Sequence, residues 1–207
     1  NAISNEKSRL NFNFNAAYND REITSLDENE YFVGSVGLDL NTQILKEGLA
    51  PNTFWLYQQI YDAQGMPIEG AYVDRNGDGA VDSSDKYAFH KPAADWTFGF
   101  MTNYNYNEWD FSMAWRASVG NYIYDNVNAS RAFISQGLSD NNPNAINNAP
   151  VDFDNTNFSA KRAESDYYIN DASWLKWDNV TIGYTFANPL RYLEKTSSLR
   201  LYVGVQN

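Results

Sequence analysis

The chain has 207 residues, 43% hydrophobic and 16% aromatic, with no cysteine, one histidine and a formal net charge of −11. The lack of cysteine excludes a disulfide framework and a thiolate metal centre, and the acidic balance excludes a nucleic-acid partner, whose phosphates call for clustered Lys and Arg. No run of about 18 apolar residues occurs, so no transmembrane helix is expected; membrane-spanning strands stay open, because their alternation escapes hydropathy.

In chain order, the first clear element is Arg9–Tyr18, with Leu10, Phe12, Phe14, Ala16 and Tyr18 on one face and Asn11, Asn13 and Asn15 on the other. Such strict period-two alternation predicts a strand. From about Thr24 to Asp95 the chain is long, polar and rich in Asp, Asn and Gly, and reads as a loop. Its apolar patch Phe54–Tyr61 is expected to form a hairpin dipping toward a lumen. Alternation returns in Trp96–Tyr106 and again in Trp109–Val119, joined by the two-residue turn Asn107-Glu108. A second long polar stretch covers about Gly120 to Ala172. Ser173–Phe186 is the next strand, although it alternates clearly only in its second half. After a connection Ala187–Ser197, Ser198–Gln206 alternates Leu199, Leu201, Val203 and Val205 against Arg200, Tyr202 and Gly204.

These strands run to about ten residues, longer than soluble strands and near what a tilted membrane strand requires, and aromatics gather at their ends. The predicted fold is therefore all-β: antiparallel strands of a transmembrane β-barrel spanning 1–207, with short periplasmic turns and long extracellular loops. A soluble β-sandwich is the competing fold. Five strands cannot close a barrel around such loops, so the natural chain is expected to continue beyond both ends, with a signal peptide upstream.

One motif carries chemistry. Asp74-Arg-Asn-Gly-Asp-Gly-Ala-Val-Asp-Ser-Ser-Asp85 sets oxygen side chains in the spacing of a calcium loop. Asp74, Asn76, Asp78, Asp82 and Asp85 are the expected ligands, with the Ala80 carbonyl, and Gly79 falls where such a loop turns sharply. The expected role of the calcium ion is structural. Helices are not predicted on either side. An active site is not expected: His90 reads as a loop residue, and without cysteine there is no thiol nucleophile. Arg116 and Arg200 project from polar strand faces and read as solvated or ion-paired lumen residues, the alternative being contact with substrate. Trp55, Tyr57, Tyr61, Tyr167, Tyr168 and Trp174 read as loop-packing aromatics, the alternative being sugar stacking. Trp55, Tyr57, Tyr167 and Tyr168 are further expected to anchor a partner on the outer loops.

Three stretches together resemble the SusC/RagA type of TonB-linked outer-membrane receptor: Tyr72-Val-Asp-Arg-Asn-Gly-Asp-Gly-Ala-Val-Asp-Ser-Ser-Asp-Lys-Tyr, followed by Pro92 and Phe98-Gly-Phe; Tyr167-Tyr-Ile-Asn-Asp-Ala-Ser-Trp-Leu-Lys-Trp-Asp-Asn-Val-Thr-Ile-Gly-Tyr-Thr-Phe; and Ser198-Leu-Arg-Leu-Tyr-Val-Gly-Val-Gln-Asn. Their order matches the family's C-terminal barrel portion. His90 stands where the family pattern has a glycine, and Lys176-Trp177 departs from its usual pairing. The resemblance implies a barrel of about 22 strands holding an N-terminal plug. It further implies import of oligosaccharide or peptide across the outer membrane of a Gram-negative cell, contact with TonB through parts outside this sequence, and a surface lipoprotein partner of the SusD type. The rival functional reading is a secreted, soluble β-domain that binds calcium and glycan; a calcium-dependent glycosidase ranks third.

Overall fold

A computed structural model of the chain describes residues 3–35, 41–133, 150–187 and 198–207. In chain order the strands are β1 (Ile3–Ser4), β2 (Ser8–Tyr18), β3 (Glu30–Ser35), β4 (Asn41–Lys46), β5 (Thr53–Leu56), β6 (Gln59–Tyr61), β7 (Pro67–Tyr72), β8 (Tyr87–Phe89), β9 (Trp96–Tyr106), β10 (Trp109–Val119), β11 (Tyr122–Tyr124), β12 (Ile169–Asp171), β13 (Trp174–Ala187) and β14 (Ser198–Gln206). Among the described residues, two short helices, α1 (Asn126–Arg131) and α2 (Phe153–Thr156), interrupt them. The chain folds as two compact units, one of residues 1–19, 94–120 and 173–207, the other of residues 20–93 and 121–172.

The first unit is a six-stranded antiparallel sheet in the order β1-β2-β9-β10-β13-β14. Directly opposed residues of an antiparallel ladder share a face, so the register turns alternation within strands into one continuous surface. Phe14 stands opposite Phe100, Phe100 opposite Trp115, Phe111 opposite Ile182, and Ile182 opposite Val203. Between β10 and β13 the register slips: Ala114 faces Asn179 but Trp115 faces Trp177. Asp178 is the extra residue of a β-bulge, which inverts the alternation of β13 at that point. This is why Ser173–Phe186 alternates only after the bulge, and it puts Leu175 and Trp177 on the same face as Val180 and Ile182.

That apolar face is uncovered. Phe14 is 63% exposed, Trp177 63%, Val203 71% and Val205 72%. A sandwich would bury such a face against a second sheet, and a soluble surface would not carry one this extensive. Aromatic rings collect at both ends of the strands. Tyr18 packs on Trp96, with ring centroids 4.9 Å apart, and Trp109 packs on Tyr184 at 4.9 Å.

The connections differ between the two ends of the sheet. The chain leaves at Tyr18 and returns at Trp96, its direct partner, then leaves after Val119 and returns at Trp174, the partner of Ser118. At the opposite end Tyr106 and Trp109 pair across the turn Asn107-Glu108, where Asn107 takes φ 50°. Asparagine tolerates this left-handed conformation better than most residues. The expected connection Ala187–Ser197 lies outside the described residues from 188 onward.

The second unit revises the expectation of two irregular polar loops. Among its described residues it holds a sheet β3-β4-β5-β8 and the strand pairs β6-β7 and β11-β12. Phe54–Tyr61 does not form a hairpin. It divides between β5, which pairs with β4 and β8, and β6, which pairs with β7. Phe54 and Leu56 are buried with Tyr124, Ala129, Phe158, Ala163 and Tyr168. This core draws on both long stretches and gives each aliphatic or aromatic anchor about 1.5–3 kcal/mol of burial. Buried Gln59 donates from Nε2 to the carbonyls of Ile60, Ile68 and Ala71 at 3.0, 2.8 and 3.2 Å, replacing ladder bonds where the β6-β7 register breaks.

Candidate functional site: a polar sheet face and an acidic loop

The face of the first unit opposite the apolar one carries Asn11, Asn13, Asn15, Asn103, Asn105, Ser112 and Thr181, placed there by the same register. Two of its arginines are paired with carboxylates. Arg116 donates from Nε and Nη2 to the two oxygens of Asp178 at 2.6 and 2.8 Å. Arg200 donates likewise to Asp110 at 2.9 and 2.5 Å. Both are two-pronged guanidinium–carboxylate contacts, the strongest form of side-chain ion pair. The bulge supplies Asp178 to Arg116. Arg200 reaches Asp110 across the intervening strand β13, directly over Gly183; a Cβ there would lie 2.7 Å from Arg200 Nη2. Both arginines are thus the ion-paired residues expected from sequence. The pairs are partly exposed, so solvent screens them and they fix orientation more than they add stability. Chemically, the face offers amides, hydroxyls and two arginine–carboxylate pairs, suited to hydrogen-bonding a polar solute. On this face the described residues show no nucleophile resting on a base.

The loop 74–85 is a continuous set of side-chain-to-backbone hydrogen bonds. Asp74 accepts from the N–H groups of Gly77 and Gly79 at 2.6 and 2.8 Å. Asn76 Oδ1 accepts from Asp78 N–H at 2.8 Å, and Asp78 from Ala80 N–H at 2.9 Å. Asp82 accepts from the N–H and hydroxyl of Ser84 at 2.8 and 2.7 Å. Fully buried Asp85 accepts from Arg75, Asn76 and Asp82 N–H groups at 2.8, 3.2 and 2.9 Å, closing a capping box with Asp82. The Asp82 N–H, with those of Asn76 and Arg75, holds the Asp85 carboxyl below its ordinary range against the opposing effect of burial. The Ser84 hydroxyl and N–H do the same for Asp82. Gly77 and Gly79 take φ 75° and 88°, open to glycine at no steric cost. The expected ligands therefore share one ordered loop. Among the described residues no three acidic or imidazole side chains converge as a metal cluster, and Asp85 spends its two oxygens on backbone N–H groups.

The aromatics are placed differently from one another. Tyr57 is buried and stacks on Tyr72 at 4.9 Å; Tyr168 is buried against Tyr124 at 6.2 Å and Tyr167 at 5.1 Å. Tyr61 and Tyr167 lie 6.5 Å apart, and Lys46 Nζ sits over Trp55 at 5.3 Å. Tyr57 and Tyr168 pack the interior of the unit and are not available as partner anchors, whereas Tyr61 is 47% exposed. Trp174 belongs to β13 in the sheet. Sequence reasoning missed Tyr124 and Phe158 in the buried cluster, and Tyr72 against Tyr57. It also missed Glu69, whose carboxylate receives Ser159 N–H and hydroxyl, Ala160 N–H and Arg162. Burial pushes the Glu69 carboxyl upward, and these four donors more than offset it, leaving it below the ordinary range. His90 stacks flat on Tyr122, centroids 3.7 Å apart, with φ 53°. That left-handed backbone accounts for the glycine expected at this position.

No family model matches the chain. Among curated proteins it is 40% identical over 209 residues to the TonB-dependent receptor SusC of Bacteroides thetaiotaomicron, covering 94% of this chain and 20% of the relative. It is 27% identical to the TonB-dependent receptor P3 of Formosa agariphila, covering 99% of this chain and 22% of the relative. The chain thus spans about a fifth of the length of these relatives. Two solved structures of RagAB, one described as a peptide transporter and one as a peptide importer in a closed-closed state, superpose with TM-scores of 0.68 and 0.69 at 18% and 19% identity. Each covers 99% of this chain and 24% of the RagAB chain, and shows that the fold is that of a receptor barrel. An all-β portion with an open sheet, an uncovered apolar face and this degree of identity to SusC, the chain belongs to the SusC/RagA type of TonB-dependent outer-membrane β-barrel receptors.

Proposed function

We propose that this chain is the barrel portion, with its outer loops, of a receptor that imports oligosaccharide or peptide across the outer membrane, driven through TonB and paired with a SusD-type surface lipoprotein. The observation that carries the reading is the 40% identity to SusC across 94% of the chain. The apolar face then meets lipid, and the Asn-rich face lines the lumen, where a polar solute passes. Import rather than catalysis is the proposed activity, in keeping with relatives that are named as receptors and transporters. A strain deleted for the whole receptor should lose growth on one of the two nutrient classes supplied alone and regain it on complementation. Undiminished growth and uptake on both would sink the import reading. The second unit is the proposed docking surface for the lipoprotein. Deleting Ser139–Asn157, of which residues 139–149 lie outside the described residues, should weaken co-purification of the lipoprotein while the barrel still assembles.

The proposal includes one structural calcium ion held by Asp74, Asn76, Asp78, Asp82, Asp85 and the Ala80 carbonyl. The support is the spacing of six oxygen donors around Gly79. A carboxylate oxygen that accepts a single N–H keeps a lone pair for a cation. Millimolar calcium should raise the thermal midpoint of the receptor, and Asp78→Ala should abolish the rise. No rise in the unsubstituted receptor would leave the loop held by its own hydrogen bonds.

A further inference from the structure

Among 27 asparagines the sequence contains a single Asn-Gly step, Asn76-Gly77, and the structure exposes it in the loop 74–85. A glycine after asparagine leaves its backbone nitrogen without side-chain hindrance, so this step is chemically the most prone to rearrange. The Gly77 nitrogen attacks Cγ of Asn76, an N–Cγ bond forms, the Cγ–Nδ2 bond breaks, and Nδ2 leaves as ammonia with the nitrogen's proton. Water then opens the succinimide at either carbonyl, giving aspartate or isoaspartate.

We propose that Asn76 is a latent modification site, kept unreactive while the loop is closed and converted once it opens. Each atom the reaction needs is engaged. Gly77 N–H donates to Asp74 Oδ1 at 2.6 Å, so stripping its proton would set an amide anion against a carboxylate. The Asn76 carboxamide is held at both ends: Oδ1 accepts from Asp78 N–H at 2.8 Å, and Nδ2 donates to Ser84 Oγ at 2.7 Å and Asp78 Oδ2 at 3.0 Å. Conversion is one-way and self-reinforcing. Replacing Nδ2 by an oxygen sets two carboxylates against each other where a donor met an acceptor, and isoaspartate adds a methylene to a main chain whose turn depends on spacing. The loop therefore records its own opening.

The test incubates the receptor in detergent with EDTA at mildly alkaline pH and quantifies conversion of Asn76 to aspartate and isoaspartate by peptide mass spectrometry, the other asparagines serving as internal reference. Folded receptor should convert roughly tenfold more slowly than the same protein in urea, a factor equivalent to about 1.4 kcal/mol. Asp74→Ala should erase most of that difference, with heat-modifiable gel mobility verifying that the barrel is folded. Ser84→Ala, which leaves the Gly77 contact in place, should fall between; if Asp74→Ala does not assemble, this variant against the unsubstituted receptor decides. Conversion of folded receptor at the urea rate, or no acceleration in the variants that assemble, overturns the proposal.

Discussion

At Gly183 the missing side chain is the functional feature. It leaves the gap through which Arg200 reaches Asp110 over an intervening strand. Gly183→Val should break this contact and strand two charges on the lumen face. Because solvent screens the pair, the loss should be small. The variant should assemble but lose its folded gel mobility at a slightly lower temperature. The opposite face obeys a harsher rule. Phe111→Arg and Leu201→Arg place a cation in lipid at about 2–4 kcal/mol each and should block assembly, whereas Ser112→Arg, one residue along and on the polar face, should assemble. Equal tolerance at the three positions would contradict the assignment of faces. Face membership was legible in the sequence because alternation alone dictates it. The ion pairs were not: Asp110 and Arg200 are 90 residues apart, and nothing local joins them.

Whole strands were the most legible elements. β9, β10 and β14 lie where alternation places them, because a two-sided environment imposes its period on every residue. β13 shows the limit, since its bulge changes phase midway and half the pattern disappears. The short strands of the second unit left no such trace. They are three to six residues long, too short for alternation to show, and the shared core takes its anchors from a few of them, such as Phe54 and Leu56 of β5 and Tyr124 of β11. The acidic loop was legible as a motif, while its internal bonding was not: no spacing rule shows that Asp85, an expected ligand, is also the buried acceptor that ties Arg75, Asn76 and Asp82 together. Its lowered carboxyl pKa gives a pH dependence of definite sign. The stabilisation is fully present above the ordinary carboxylate value of 3.8 and is lost as pH falls through the lowered one. Pepsin cleavage within 74–85 should therefore stay low above that range and rise below it. Asp85→Asn should be cleaved more readily throughout, with little dependence on pH.

Across the molecule, the sheet meets a non-aqueous solvent on one face and the second unit supplies a conventional core of its own. Heating should separate them. Receptor in detergent should keep its compact gel mobility, the mark of closed strands, to temperatures at which Tyr168→Ala has already lost protease resistance in residues 121–172. The substitution should cost the second unit about 3–5 kcal/mol, in line with removing a large aromatic from a packed core. If gel mobility and protease resistance vanish together, the two units melt as one.

The split origin of that core has a consequence for synthesis. Phe54 and Leu56 precede the hairpin β9-β10 in the chain, whereas Tyr124, Phe158 and Tyr168 follow it. A nascent polypeptide that has delivered only the first group holds half a zipper with nothing to mesh. Until the later residues emerge, Phe54 and Leu56 lack the partners that bury them, so the second unit closes late and the loop closure that joins its halves is a slow, non-local step.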